Sequence, residues 1–149
     1  MNWLYNEQKI TDISQFPQNT FGFVYEVITP EGKKYIGKKV LFHNRKQKLT
    51  KKELALHTGR GRKPTHKIIQ KESDWKKYYG SNVHLKKSIT EGEVTLEDLQ
   101  KQILEIAFTK KHLTYLETKW LFQLEVLENP QKYYNDNILG KFFTSDFDI

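Results

Sequence analysis

Cysteine is absent from the chain of 149 residues, which excludes disulfide bonds, a cysteine zinc site and a thiol nucleophile. No apolar run reaches about 18 residues, the length from which a membrane-spanning helix is predicted. The N-terminal sequence MNWLYNEQKI does not have the basic and then apolar pattern of a secretory signal. We therefore expect a cytoplasmic protein with no membrane partner, in which any metal is bound by carboxylate, histidine or water.

Acidic residues are scarce in one part of the chain. Residues 33–77 hold 16 of the 25 Lys and Arg but only Glu53, Glu72 and Asp74 as acids, a local charge of +13 in a chain of +7. The other 104 residues carry 9 basic and 15 acidic side chains, or −6. A surplus concentrated in this way fits a polyanion surface, where each neutralised phosphate releases counterions. The alternative is a solvated lysine-rich loop.

Histidines and aromatic residues each leave two interpretations open. The five histidines have none of the short spacings of a zinc site; they are His43, His57, His66, His84 and His112. His43 lies two residues before Arg45 and could contact a phosphate or relay a proton. The aromatic residues interleaved with lysines in 74–80 fit either nucleic-acid stacking or core packing; they are Trp75, Tyr78 and Tyr79 beside Lys76 and Lys77.

Alternation of apolar residues predicts a β-hairpin. FGFVYEVI, residues 21–28, has the period of two of a strand, and KKYIG, residues 33–37, follows a turn with the sequence TPEG. A third strand is predicted at about 102–108. Residues 1–20, which mix aromatic and polar side chains, are interpreted as an N-terminal arm, irregular or with one short element.

Capping residues and a break in the apolar pattern predict the helices. Residues 40–72 form a basic surface insertion with one helix opened by Thr50, and DWKKYYG and VHLKKSITE predict two short helices, the second capped by Asn82. The longest helix, HLTYLETKWLFQLEVLE, ends before Asn129-Pro130, and ILGKFF follows as a closing strand or an arm across the core. The predicted fold is a single α+β domain over 21–149, a small, mostly antiparallel sheet flanked by helices.

Glu117 has an unusual place on the longest helix. It lies inside the apolar stripe, one turn after Leu113 and one turn before Leu121, so its carboxylate projects from the buried face. Burying an isolated charge is costly. The carboxylate is therefore either paired with a Lys or Arg, bent to the edge of the helix, or functional.

Tyr25 and Tyr35 lie on the two strands of the predicted hairpin. Their phenols share one side of the sheet if the strand register is right. Strand tyrosines are more often packing residues with the hydroxyl at the rim than catalytic groups. These two residues therefore indicate a catalytic function only together with other motifs.

The motifs occur in a fixed order along the chain. Phe23-Val24-Tyr25 precedes Tyr35-Ile36-Gly37 by ten residues, Glu117 lies in a late helix, and Asn135 lies in YYNDN. Over about residues 21–140 this order resembles the GIY-YIG nuclease superfamily, and the chain is similar to Seg-like endonucleases of large bacteriophages. The first half of the signature departs from the usual pattern, because Phe23 replaces a glycine and Val24 replaces an isoleucine.

The resemblance implies a role for each residue. Tyr25 would act as general base or water activator, Tyr35 would position phosphate or water, and Glu117 would hold one Mg²⁺ (or Mn²⁺). Asn135, with Asn137 as the neighbouring candidate, would order the site. An arginine would stabilise phosphate charge; it is Arg45, eight residues after the motif glycine, with Arg60 and Arg62 as alternatives.

The residue types suit phosphodiester hydrolysis. The reaction builds negative charge on phosphate oxygens, which a metal and a guanidinium stabilise. A single acidic ligand suits Mg²⁺, because this ion keeps most of its waters and accepts phosphate oxygens. A phenol is a poor base at its usual pKa near ~10, so a cation is needed to favour phenolate; Lys38, Lys39 and Arg45 are near enough in sequence to supply one.

The resemblance implies a metal-dependent DNA endonuclease, either a phage homing-type or a degradative enzyme, acting in the infected host cell. Contacts to double-stranded DNA are expected from Lys38, Lys39, His43, Arg60, Arg62, Lys63, Lys76 and Lys77. Recognition falls to the basic insertion, the N-terminal arm or a second subunit, and cutting both strands favours a homodimer on DNA. The alternatives are a restriction endonuclease or a catalytically silent protein that binds DNA or RNA on the same scaffold.

Overall fold

The computed structural model describes residues 2–59 and 61–147 and has the predicted α+β fold. The strands are β1 (Trp3–Tyr5), β2 (Gln8–Ile10), β3 (Gly22–Ile28), β4 (Lys34–Val40), β5 (Phe42–Lys48), β6 (His66–Glu72), β7 (Gln100–Ala107), β8 (Asn137–Ile138) and β9 (Phe142–Phe143). The helices are α1 (Lys51–Ala55), α2 (Val83–Thr90) and α3 (Lys110–Gln123). No helix in the described part of the chain is long and apolar enough to cross a membrane.

The chain divides into two compact units. The first, which we call the sheet unit, takes the described residues of Met1–Leu41 and Asp74–Ile149, and the second, the hairpin unit, is Phe42–Ser73. The sheet unit contains a five-stranded sheet in the order β2-β1-β7-β3-β4. It also contains the short β8–β9 hairpin, so ILGKFF holds two short strands rather than one. The hairpin unit consists of the β5–β6 ribbon and α1.

The predicted β-hairpin and third strand are confirmed. β3 pairs antiparallel with both β4 and β7, and Val27 lies opposite Tyr35 while Tyr25 lies opposite Gly37. Opposite residues of a strand pair point to the same side of a sheet, so the two tyrosines share one side. The turn is closed by Thr29, whose carbonyl accepts a hydrogen bond from the Gly32 N–H at 2.8 Å.

Of the two interpretations of residues 1–20, an irregular arm or a short element, the second is nearer to the structure, because two short strands, β1 and β2, join the sheet. β1 runs parallel to β7 and antiparallel to β2. Trp3 is 1% exposed, and its indole N–H donates to the carbonyl of Trp75 at 2.6 Å. Its ring meets the Tyr25 ring edge to face, with 5.1 Å between centroids. The first strand therefore forms part of the wall behind one of the motif tyrosines.

The sheet is packed on both sides. On one side, Val24 and Ile36 join a core formed with Leu113, Leu116 and Leu121 of α3. On the other side, aromatic rings pack edge to face, among them Trp3, Phe16, Phe23, Tyr25 and Trp75. The apolar stripe of α3 is thus buried as its spacing predicts.

α3 ends at Gln123, earlier than the predicted end before Asn129-Pro130. Glu125 has φ of 52°, the left-handed conformation that ends many helices. Its N–H donates to the Phe122 carbonyl at 3.1 Å, and the N–H of Val126 donates to the Leu121 carbonyl at 3.3 Å. This is a Schellman pattern formed without glycine, so the proline cannot be used to place the helix end.

The predicted helix DWKKYYG is wrong, whereas α2 and its Asn82 cap are confirmed. Only one turn forms, in which the Asp74 carbonyl accepts from the N–H groups of Lys77 and Tyr78, both at 3.1 Å. The Lys101 ammonium donates to the carbonyls of Lys76 at 3.0 Å and Tyr78 at 2.8 Å, which satisfies these groups without a helix. Trp75 is fully buried, so of its two interpretations core packing is correct.

Replacing Lys101 with Met is expected to remove a pH dependence of folding. Lys101 is 1% exposed and lies 4.3 Å from the Trp3 ring, and burial lowers the pKa of its ammonium to about 8. Above this pKa the unfolded chain binds more protons than the folded one, so the free energy of unfolding rises with pH. The rise is at most about 1.4 kcal/mol per pH unit for one group. It ends near pH ~10, where unfolded tyrosines begin to ionise while buried ones stay protonated.

Urea unfolding measured from pH ~7 to ~10 tests this pH dependence. The wild type should gain stability above pH ~8, and Lys101→Met should be flat across the same range. Lys77→Met provides the matched control, because Lys77 is exposed on the same turn. Equal pH profiles for the wild type and Lys101→Met would contradict the buried ammonium.

The basic insertion contains more structure than its sequence predicts. α1 is opened by the expected capping box, in which the Thr50 hydroxyl accepts from the Glu53 N–H at 3.2 Å. However, β5 and β6 form an antiparallel ribbon with Phe42 opposite Glu72 and Lys48 opposite His66. The sequence predicted the helix of this surface insertion but not its two strands. Its strands are polar on both sides, so the apolar alternation that identifies a half-buried strand is missing.

Candidate active site

A cleft of about 430 Å³ lies along the β4 edge of the sheet unit. Its polar lining comes from four places, which are β4, the start of α2, α3 and the segment after α3. The side chains include Tyr35, Ser81, His84, Glu117, Asn135 and Asp136. Strand pairing and helix packing therefore bring the second motif tyrosine and the late glutamate to one cleft.

Glu117 is half-buried on the cleft wall. Burial raises the pKa of its carboxyl, and the positive charge of Lys38 opposes this rise. Within residues 2–59 and 61–147, no Lys, Arg or His nitrogen comes within 4.0 Å of the carboxylate. Of the explanations that the sequence left open, a close ion pair is excluded for these residues. The carboxylate faces the cleft with part of its charge uncompensated.

Tyr25 and Tyr35 differ in their access to this cleft. Tyr35 lines it, while Tyr25 is 1% exposed and its hydroxyl is hydrogen-bonded with that of Tyr78. Burial raises the pKa of Tyr35, against a hydrogen bond from the Ser81 hydroxyl. Burial also raises the pKa of Tyr25, well above its usual value, and the neighbouring phenols add to the rise. Both side chains are therefore neutral O–H groups near neutral pH.

The lysines expected to favour a phenolate are engaged elsewhere. The Lys39 ammonium binds the Asp74 carboxylate at 2.6 Å and lies 3.9 Å from the centroid of the Tyr78 ring. The Lys38 ammonium donates to the Thr114 hydroxyl at 2.9 Å. Burial outweighs these charges, so the expectation that nearby cations lower the phenol pKa values is wrong for the two lysines. The third expected cation, Arg45, belongs to the hairpin unit.

Two glycines make room for the tyrosine rings. A Cβ added at Gly37, the glycine of the second motif, would lie 2.5 Å from the Tyr25 hydroxyl oxygen. A Cβ at Gly80 would lie 2.9 Å from the Tyr35 ring, and Gly80 has φ of 111°, which favours glycine. The motif glycine is thus required by close packing between β4 and the aromatic ring on β3.

Asn135 is buried and completes the edge of the sheet. Its side-chain oxygen accepts from the Ile36 N–H at 3.0 Å, and its side-chain NH₂ donates to the Ile36 carbonyl at 2.8 Å. The amide side chain thereby replaces a neighbouring strand at the position between the two motif residues Tyr35 and Gly37. Asn137, the neighbouring candidate, is exposed and donates to the Asp136 carboxylate.

The remaining residues predicted for the site are divided between the two units. Lys38, Lys76 and Lys77 are exposed in the sheet unit, and Lys76 lies 3.9 Å from the Asp12 carboxylate. The exposed candidates of the hairpin unit are His43 and Arg45 on β5, with Arg62 and Lys63 in the connection before β6. Arg60 lies outside the described residues. Arg45 and Arg62 belong to the hairpin unit, and neither belongs to the unit that holds Tyr35 and Glu117.

Several cleft residues have no motif in the sequence to mark them. Ser81 and His84 flank the Asn82 cap, whose side chain accepts from the Leu85 N–H at 3.0 Å. The predicted cap therefore fixed their place at the start of α2, but only the tertiary fold shows that this helix end faces α3. Asp136 follows directly after Asn135 and lines the same cleft.

The donor set of the cleft fits Mg²⁺ or Mn²⁺ better than zinc. Among the described residues, no group of three or more His, Cys, Asp or Glu side chains could hold an ion. Zinc sites require three or four protein ligands, whereas Mg²⁺ is commonly bound by one or two carboxylates with waters and substrate phosphates. Glu117, with its half-buried carboxylate, can provide such a ligand, and Asp136 lies on the same cleft.

Comparison with known families agrees with this arrangement. The model of the family described as "Putative endonuclease segE, GIY-YIG domain" matches residues 3–138. No curated protein and no solved structure gives a significant match to the chain. The matched range includes β1, both motif tyrosines, Glu117 and Asn135. The chain therefore belongs to the SegE GIY-YIG family of endonucleases.

Proposed function

We propose that the protein is a metal-dependent endonuclease that hydrolyses phosphodiester bonds in double-stranded DNA, as a phage homing-type or degradative enzyme. The observation that carries the proposal is the half-buried Glu117 carboxylate, which faces the same cleft as Tyr35 and has no close ion pair among the described residues. An anion held in this way is ready to accept a divalent cation.

Glu117 would hold one Mg²⁺ or Mn²⁺, and Asp136, which lines the same cleft, would orient a water of the ion. The ion supplies a Lewis acid for the phosphate oxygens and lowers the pKa of bound water. The side chain of Asn135 keeps β4 at a fixed distance from the segment that carries Asp136, because it bonds both backbone groups of Ile36. The cleft is therefore held open without the substrate, which suits electrostatic preorganisation.

Tyr35 would act as a hydrogen-bond donor. Because burial raises its pKa, its phenol keeps the proton and can donate to a non-bridging phosphate oxygen or orient the attacking water. Tyr25 would position Tyr35 from behind, since it is buried and its hydroxyl is hydrogen-bonded with Tyr78. His84 lines the cleft and is the side chain best suited to accept a proton from water.

Positive charge near the reacting phosphate would come from Lys38, whose charge acts on Glu117, and from an arginine, as the family resemblance implies. Arg45 remains the proposed arginine, with Arg60 and Arg62 as alternatives. The ten Lys and Arg among residues 42–73, against two acids, supply the long-range attraction for DNA. A homodimer on DNA would place two clefts on opposite strands.

Incubation of supercoiled plasmid with the purified chain and Mg²⁺ tests the proposed function. We expect nicked circles to form with Mg²⁺ or Mn²⁺ and to be absent when EDTA is present. Linear product at higher protein concentration would support the homodimer. Binding without cleavage in either metal would instead identify a catalytically silent binding protein. Tighter binding of structured RNA than of duplex DNA would identify RNA as the partner.

A further inference from the structure

The β5–β6 ribbon has two different sides. Residues that lie opposite each other in the register share a side, and successive pairs alternate between the two. One side, which we call the open side, carries Asn44, Lys46, Lys48, His66, Ile68 and Gln70, all of them exposed. Phe42 and Glu72 belong to the same side, at the end of the ribbon where β5 begins and β6 ends.

The opposite side is partly occupied by the hairpin unit itself. Lys67, which points to that side, forms an ion pair with Glu53 of α1 at 2.8 Å. Ile69, two residues further along the same side, is half-buried. By contrast, Ile68 on the open side is 70% exposed. The open side is therefore the more accessible of the two.

The open side carries groups that recognise base edges. Asn44 and Gln70 are directly opposite each other, and within the part of the chain that the structure describes neither amide side chain has a hydrogen-bond partner. Asn and Gln side chains bind the two major-groove groups of adenine, and apolar side chains contact the thymine methyl. Lys46, Lys48 and His66 lie beyond this pair, toward the connection between the two strands, and can meet phosphates there.

The dimensions of the ribbon select the groove. A two-stranded ribbon fits the major groove, about 12 Å wide, but not the minor groove of about 6 Å. Each strand has seven residues, which span roughly 20 Å, the rise of about six base pairs. Double-stranded RNA does not fit, because its major groove is too deep and narrow for side chains to read.

We propose that the open side of the β5–β6 ribbon enters the major groove of duplex DNA, where Asn44 and Gln70 read adenine and Ile68 contacts thymine methyls. The hairpin unit then gives the endonuclease its sequence preference. Its net charge of +8, from ten Lys and Arg and two acids, complements the phosphates that flank the groove. The inference rests on the proposed function in taking duplex DNA as the substrate.

Selection from a pool of duplex DNA with a randomised central segment tests this surface. The full-length chain is bound to the pool in EDTA, so that cleavage does not interfere, and bound sequences are read. The wild type should enrich a motif that contains A·T pairs. Asn44→Ala and Gln70→Ala, each alone, should reduce the preference for that motif by about tenfold to a hundredfold. Gln47→Ala is the matched control, an amide on β5 that points to the opposite side.

Further variants separate base reading from attraction to phosphate. Lys48→Ala should weaken binding to all sequences by a similar factor and lower the salt dependence, without changing the motif. The proposal is overturned if the wild type enriches no motif, if both amide variants keep the wild-type motif, or if duplex RNA competes as well as the enriched DNA.

Cleavage assays separate failure of this surface from failure of the proposed function. Asn44→Ala and Gln70→Ala should still nick plasmid with Mg²⁺ at low salt, because both residues lie outside the cleft. A wild type that enriches a motif but never nicks would refute the proposed function and leave the ribbon surface supported. A wild type that nicks but enriches no motif would support the proposed function and refute the proposed ribbon surface.

Discussion

The Glu117→Gln variant is expected to nick plasmid at least about 10²–10³ times more slowly than the wild type at saturating Mg²⁺ while binding DNA as well as before. The amide has the shape of the carboxylate but no charge, so it cannot hold a divalent ion in competition with water. Glu117 is the half-buried acid of the cleft and has no close ion pair among the described residues, so no neighbouring acid of equal burial can replace it. Rates are measured from the conversion of supercoiled to nicked circles.

The same substitution should stabilise the fold. Burial raises the pKa of the Glu117 carboxyl in the folded state above its unfolded value, so the stability it contributes is present in acid and lost as the pH rises through the folded pKa. At neutral pH the half-buried charge therefore destabilises the fold, and the uncharged glutamine removes this destabilisation. We expect Glu117→Gln to have a higher urea midpoint than the wild type at pH ~7, with the difference shrinking toward pH ~4.

Loss of activity together with a gain of stability separates a functional carboxylate from a structural one. A structural glutamate, once replaced, would lower both quantities. Glu128→Gln is the matched control, because Glu128 is exposed beyond the end of α3 and should change neither. Nicking by Glu117→Gln at the wild-type rate would refute the metal-binding role.

The parts of the fold that could be predicted are those in which local pattern and tertiary structure agree. FGFVYEVI is almost entirely apolar because one side of β3 meets α3 and the other meets aromatic rings, and a strand that is buried on both sides reads as a nearly continuous apolar run. The Asn82 cap was predictable because its hydrogen bond to the Leu85 N–H is local. The position of Glu117 inside an apolar stripe could also be predicted, because the period of a helix is a local property of the sequence.

The predictions that failed depended on distant residues. The turn at 74–80 is held by Lys101, more than twenty residues later in the sequence, which bonds carbonyls that a helix would otherwise use. The burial of Trp3 depends on β7, far along the chain, with which β1 pairs. The ribbon has no buried side, so β5 and β6 lack the apolar period that identifies strands. Propensity and pattern describe neighbours in sequence, and these contacts are not local.

The cleft itself could be anticipated only in part. Tyr35, Glu117 and Asn135 lie where the ordered motifs imply, on β4, on α3 and beside the β4 edge. The different environments of the two tyrosines could not be predicted, because strand register gives a shared side but not the depth of each ring. Burial decides that the Tyr25 hydroxyl meets Tyr78 while the Tyr35 ring lines the cleft.

This difference predicts unequal effects of removing the two hydroxyls. Tyr35→Phe should lower the nicking rate by about 10²-fold or more, because the phenol that faces the cleft loses its donor. The free energy of unfolding should change little. Tyr25→Phe should reduce the rate less and should cost about 1 kcal/mol of stability, because it leaves Tyr78 without its buried hydrogen-bond partner.

Nicking rates and urea unfolding of the two variants decide which phenol contacts the reacting groups. Tyr134→Phe serves as control, since it removes a phenol from a half-buried ring that does not line the cleft and carries the Lys33 ammonium at 4.5 Å from its centroid. If Tyr25→Phe is the slower enzyme and keeps its full stability, then Tyr25 activates the water, as the family resemblance implies. In that case the burial of its ring must be relieved when DNA binds, because a phenol sealed behind Tyr35 and hydrogen-bonded to Tyr78 cannot take a proton from water in the cleft.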